Sequence, residues 1–91
     1  MFEKGRKKGS VKFSVAPAGS AAKVELAGDF NGWQPQAMRK GKDGRFACTI
    51  DLAGGSYEYK FLVDGNWIVD PENNAWALNP FGSVNSVAMV S

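Results

Sequence analysis

Ninety-one residues suit a single domain, because domains run roughly 50–250 residues, and 44% apolar with 22% charged residues is the balance of a folded chain rather than a disordered one. One cysteine, Cys48, and no histidine exclude an intrachain disulfide, a cysteine/histidine zinc site and every nucleophilic triad that needs an imidazole. The net charge of +2 is unevenly placed: four of the eleven basic residues and one of the nine acidic ones fall in residues 1–9, which leaves seven basic against eight acidic in residues 10–91, so the domain itself lacks the basic face of a nucleic-acid binder.

In chain order, residues 1–9, with Lys4, Arg6, Lys7 and Lys8 against Glu3, read as a basic flexible tail, a solvated leader rather than a phosphate-binding arm. Residues 10–91 read as the folded domain, and period-two alternation marks its strands. Val11, Phe13 and Val15 alternate with Lys12 and Ser14, and Val24 and Leu26 with Lys23 and Glu25. Lys42-Asp43-Gly44 breaks the chain before Phe46, Cys48, Ile50 and Leu52, which share one face of the clearest strand. The parity of Cys48 predicts a buried, unreactive thiol. Gly54-Gly55 breaks the chain again before a strand with Tyr57, Tyr59, Phe61 and Val63 on one face and Glu58, Lys60 and Leu62 on the other. Asp64-Gly65 supplies the positive φ of a tight hairpin turn. Pro71 and Pro80 bracket a loop that holds Trp76, and Val84 to Val90 is β-rich but apolar on both parities. Eleven glycines and four prolines leave no room for a long helix. Six or seven short strands at regular spacing predict an all-β sandwich, with a small barrel of the oligonucleotide-binding kind as the alternative.

Paired carboxylates could hydrolyse a glycosidic bond, and Asp29, Asp51, Asp64, Asp70 and Glu72 are the candidates. Turn chemistry accounts for Asp29, Asp64 and Asp70, and Asp51 alternates outward on its strand, so hydrolysis is disfavoured. The three tryptophans say more. None falls inside a clean alternating strand, and Trp33 and Trp67 each follow a turn. A tryptophan at a turn is either a lid on the core or an exposed platform, and three lids in one small domain are too many. An exposed indole has an electron-rich face on which the C–H face of a pyranose ring stacks. Lys60 and Asn85 are suited to the hydroxyls around such a ring, although a solvated strand lysine explains Lys60 equally well at this point.

The segments Gly28-Asp29-Phe30-Asn31-Gly32-Trp33, Tyr57-Glu58-Tyr59-Lys60-Phe61, Val63-Asp64-Gly65-Asn66-Trp67, Asp70-Pro71 and Phe81-Gly82-Ser83-Val84-Asn85-Ser86 occur in the order seen in carbohydrate-binding module family 48. The chain resembles that family from about Val11 to Val90. The family includes the glycogen-binding domain of the AMP-activated protein kinase β subunit and the N-terminal domains of isoamylases and branching enzymes. The resemblance implies an immunoglobulin-like β-sandwich of the early-set type that binds α-1,4-linked glucan. It implies ring stacking on Trp33 and Trp67, a strand lysine at Lys60, and hydroxyl contacts from Ser83 and Asn85. Ser83 replaces the family's threonine. Phe81 replaces the leucine that kinase-type modules push against the glucan, which changes the shape of that contact. The expected function is non-catalytic binding of glycogen or starch-like glucan, with no metal or cofactor, no nucleic acid and no membrane partner. The alternatives are a regulatory scaffold that docks on a partner enzyme or kinase subunit and, third, a nucleic-acid binder whose aromatics stack bases. With no apolar run near the ~20 residues of a membrane helix and no signal peptide at its start, the chain is expected to be cytoplasmic.

Overall fold

The structure is a computed structural model that describes residues 1–17 and 21–90. Its strands are β1 (Phe2–Lys4), β2 (Ser10–Val15), β3 (Val24–Gly28), β4 (Gln36–Ala37), β5 (Arg39–Lys40), β6 (Phe46–Asp51), β7 (Gly55–Val63), β8 (Asn66–Ile68), β9 (Trp76–Leu78) and β10 (Val84–Val90), with a 3-10 turn at Asp29–Asn31 between β3 and β4. Every pairing is antiparallel. One sheet runs β1-β2-β6-β5 and the other β4-β3-β7-β10-β9, with β8 added to β7 beyond the end of β10. Two separate sheets make the molecule an immunoglobulin-like sandwich and not a barrel.

The alternating faces meet in the middle. Val11, Phe13 and Val15 of β2 are buried in one cluster with Val24 and Leu26 of β3 and Tyr59 and Phe61 of β7, together with Met38, Phe46, Leu52 and Ala88. Phe13 and Tyr59 join the sheets edge to face, with centroids 4.9 Å apart, and Phe61 meets Tyr59 in the same way at 5.8 Å. Such pairs contribute about 0.5–1.5 kcal/mol each beyond the area they bury. Tyr57 and Val63 are half-buried against the same cluster. Cys48 is half-buried rather than fully enclosed, because its strand lies next to the edge strand β5 and Ile50 beside it is also only partly covered.

Three further expectations change. The segment read as a flexible tail begins with β1, which pairs Phe2 with Phe13 and places the Phe2 ring 6.4 Å from both Phe13 and Tyr59. Trp67 and Trp76 lie in strands, β8 and β9, whose three residues are too few for alternation to register in sequence. Asp70 is more than a turn residue. Its carboxylate is buried, accepts hydrogen bonds from Tyr59 Oη at 2.7 Å and from the Glu72 N–H at 2.9 Å, and pairs with the Met1 amino group. Burial, then the bond to Asp70, pushes the Tyr59 hydroxyl far above the ordinary tyrosine range. Asn73 donates to Tyr59 Oη and to the Val87 carbonyl, and the Asp70 N–H donates to Ser86 Oγ, so the 70–73 turn is held to β7 and β10 by a satisfied polar network. Arg45, next to β6, forks onto both oxygens of Glu72 at 3.1 and 2.8 Å and ties that turn to the opposite sheet.

Candidate functional site

The site is built on the outer face of β7, the side that parity assigned to Glu58, Lys60 and Leu62. At its edge, β3 ends in Gly28. The backbone there runs so close to β7 that a Cβ on Gly28 would lie 2.6 Å from the Glu58 carbonyl and 2.8 Å from the Phe30 ring. In the following turn, Asn31 Oδ1 accepts the Gly28 N–H and its Nδ2 donates to the Leu26 carbonyl. Phe30 drops inward to 5.2 Å from Phe13. The chain then passes through two successive left-handed residues, Gly32 (φ 65°) and Trp33 (φ 61°). A bulky residue in that region costs about 1 kcal/mol or more. The Trp33 N–H bonded to the Gly28 carbonyl at 3.0 Å, and Trp33 Nε1 bonded to Asp29 Oδ1 at 3.0 Å, hold it there.

Trp67 arrives from the other side. Asp64 (φ 48°) and Gly65 (φ 86°) make the expected tight hairpin, and the register Leu62↔Trp67 turns the indole outward while Ile68 faces the core. The Asp64 carboxylate also accepts the N–H groups of Ala22 and Lys23, which pins the hairpin to the start of β3. Trp33 and Trp67, 34 positions apart, come to a centroid distance of 6.5 Å with ring planes at 58°. They form an angled pair rather than a flat shelf, and Trp67 keeps 48% of its surface exposed.

Beside the indoles runs a connected row of polar groups. Asn85 of β10 donates from Nδ2 to Glu58 Oε1 at 3.0 Å. Asn79 organises the β9–β10 turn: its Oδ1 accepts the Phe81 and Ser83 N–H groups, and its Nδ2 donates to Ser83 Oγ at 2.6 Å and to Asn85 Oδ1 at 3.4 Å. Lys60 Nζ lies 3.5 Å from Ser83 Oγ. Phe81, 93% exposed, stands at the tip of that turn. Together these groups border an open groove of about 570 Å³. Asn85 is nearly covered, and its amide is held on both sides, by Asn79 and by Glu58.

Trp33, Lys60, Trp67, Phe81 and Asn85 therefore line one groove, and Ser83 stands at its side through Lys60 and Asn79. Sequence reasoning missed Asp29, Glu58 and Asn79, which line it too. Glu58 carried a usable signal, since it shares the outer parity of β7 with Lys60. So did Asn79, because Asn-Pro-Phe-Gly is a turn sequence in which an asparagine side chain caps its own loop. Asp29 was read as a local turn residue, but its Oδ2 crosses to the Glu58 N–H at 2.8 Å. Trp76 is absent from the groove. The registers Trp76↔Ser86 and Ser86↔Tyr59 place it on the core-facing side of the sheet, at the exposed edge. The groove carboxylates each accept a bond from a protein donor.

A two-sheet antiparallel sandwich with a tryptophan pair and a polar row on one open sheet face has the form of a carbohydrate-binding module. The chain belongs to the family described as the glycogen recognition site of AMP-activated protein kinase, which matches residues 11–91. It is similar to protein PTST homolog 2, chloroplastic, of Arabidopsis thaliana, at 46% identity over 59 residues that make up 64% of this chain and 11% of that protein. It is also similar to the 5'-AMP-activated protein kinase subunit beta-1 of Sus scrofa, at 35% identity over 72 residues, 79% of this chain and 57% of that one. The chain thus spans a tenth to a little over half of these relatives' length. The crystal structure of the maltogenic amylase from S. marinus contains the same fold, with a TM-score of 0.77 at 23% identity over all of this chain and 16% of that one.

Proposed function

We propose that the domain binds α-1,4-linked glucan in the groove on the outer face of the β7 sheet, without catalysing a reaction on it. Trp33 and Trp67 take successive glucose rings, Lys60, Ser83 and Asn85 bond the hydroxyls, and Phe81 borders the chain from the β9–β10 turn. The observation that carries this reading is the meeting of Trp33 and Trp67, remote in sequence, at 6.5 Å beside Lys60 and Asn85. Their 58° tilt suits a curved ligand, because consecutive α-1,4-linked rings turn relative to each other. One stacked ring gains too little to offset the ordering of a flexible sugar chain, so both indoles are needed.

The test is calorimetric titration of β-cyclodextrin or a long maltooligosaccharide against alanine variants. Trp33→Ala and Trp67→Ala should each remove most of the affinity, and the double variant should lose far less than the sum, since both act on one ligand. Trp76→Ala is the control and should change affinity least, because that side chain lies off the groove. Wild-type affinity in both Trp33→Ala and Trp67→Ala would sink the assignment. Retention on immobilised amylose separates glucan binding from a purely scaffolding role on a partner enzyme or kinase subunit.

A further inference from the structure

We infer that Asp29 is a positioning residue of the groove, which sets the pose of the Trp33 indole by holding its ring nitrogen against strand β7. This deepens the reading of the groove as the glucan site and rests on it. Asp29 spends both oxygens on two different elements: Oδ1 accepts Trp33 Nε1 at 3.0 Å and Oδ2 accepts the Glu58 N–H at 2.8 Å. One carboxylate thereby links the indole to the strand that carries Lys60. Hydrogen bonds to an ionised acceptor are stronger than neutral ones, and an indole has a single donor. With that donor committed, the ring cannot turn over without losing its bond.

The backbone explains why a pin is needed. Gly32 and Trp33 are both left-handed, so the indole hangs from a turn that a bulky residue does not favour. Trp67, in contrast, sits in regular strand register on β8 and has no ring-nitrogen partner among the described residues. The pair is asymmetric: the backbone places Trp67, and a side chain places Trp33. A stacking surface is useful only at a defined tilt and distance from its neighbour, and ordering it before the sugar arrives removes that cost from binding.

The experiment is a double-mutant cycle on the full chain, titrated with β-cyclodextrin, alongside hydrogen exchange of the Trp33 indole N–H followed by NMR. Asp29→Ala should weaken binding roughly tenfold in the wild-type background. In a Trp33→Phe background, where the ring keeps a stacking face but has no N–H, the same change should be within about twofold. Exchange of the Trp33 indole proton should quicken roughly tenfold or more in Asp29→Ala. Asp29→Asn keeps the size of the side chain and serves if the alanine variant does not fold. Its amide turns an NH2 toward one of the two N–H donors that the carboxylate satisfies, so its loss should likewise be confined to the Trp33 background. Equal losses in both backgrounds would mean that Asp29 touches the sugar or merely supports the fold, and would overturn the inference, as would unchanged indole exchange. If the wild-type chain ignores cyclodextrin, the glucan reading fails while the exchange measurement still decides the pin.

Discussion

Gly28 and Cys48 show how single residues carry measurable consequences. Gly28 has extended φ and ψ, so conformation does not require glycine there; space does, since a methyl group would meet the Glu58 carbonyl at 2.6 Å. Gly28→Ala should cost about 1–3 kcal/mol by overpacking, read from urea unfolding, and should weaken glucan binding by shifting the turn that bears Trp33. A variant as stable as wild type would mean that β3 and β7 separate easily. Cys48 is half-buried, and desolvation pushes its thiol from the ordinary 9.0 up to about 11. At neutral pH the thiolate is scarce, so reaction with a thiol reagent should be slow in the native state and rise toward pH 11. Between about pH 9 and 11 the unfolded chain loses this proton while the folded one keeps it. Stability from this group should therefore be whole below pH 9 and fall as pH rises through that window. Replacing Cys48 by serine should remove that part of the pH dependence.

At the level of the element, β7 has one face in the core and one on the groove. Phe61, fully buried between Leu26 and Ile68 in register, faces the core. Phe61→Ala should cost about 3–5 kcal/mol. Lys60, one residue earlier, belongs to the groove, and Lys60→Ala should leave stability within about 0.5 kcal/mol while weakening glucan binding. Denaturation and titration of the two variants should give opposite patterns. An unfolded Lys60→Ala with intact affinity would reverse the face assignment. The parity of this strand was readable because nine residues give several full periods. Strands β8 and β9 offer no such pattern over three residues each. They exist because β7 and β10 provide an edge to pair with, which is a tertiary circumstance.

For the whole molecule, β1 and the groove lie on opposite sheets, and Phe2 packs on Phe13 and Tyr59. Deleting residues 1–9 removes β1, the partly buried Phe2 ring and the amino group paired with buried Asp70, so it should lower stability by about 3 kcal/mol or more and leave cyclodextrin affinity within about twofold. A truncated domain of unchanged stability would show that β1 adds nothing. The same deletion removes four of the eleven basic residues, which makes salt dependence informative. Binding of an uncharged glucan should barely change between about 50 and 500 mM salt, whereas phosphate contacts would weaken steeply.

Local pattern was enough to establish an all-β chain, the core faces of β2, β3, β6 and β7, and the hairpin at Asp64-Gly65, because alternation and turn chemistry act between residues that are close in sequence; sandwich rather than barrel was decided by the two separate sheets. Trp33, Lys60, Trp67, Phe81, Ser83 and Asn85 were nameable from their motif residues. Their meeting in one groove was decided by the registers β3–β7, β7–β8 and β7–β10, which depend on contacts between distant segments. The same is true of Asp29, whose second partner is the backbone of Glu58, and of Asp70, whose carboxylate is buried under Tyr59. A carboxylate next to a glycine or a proline looks the same in sequence whether it closes its own turn or reaches across the sheet. Only the packing of one strand against another gives its second oxygen a partner.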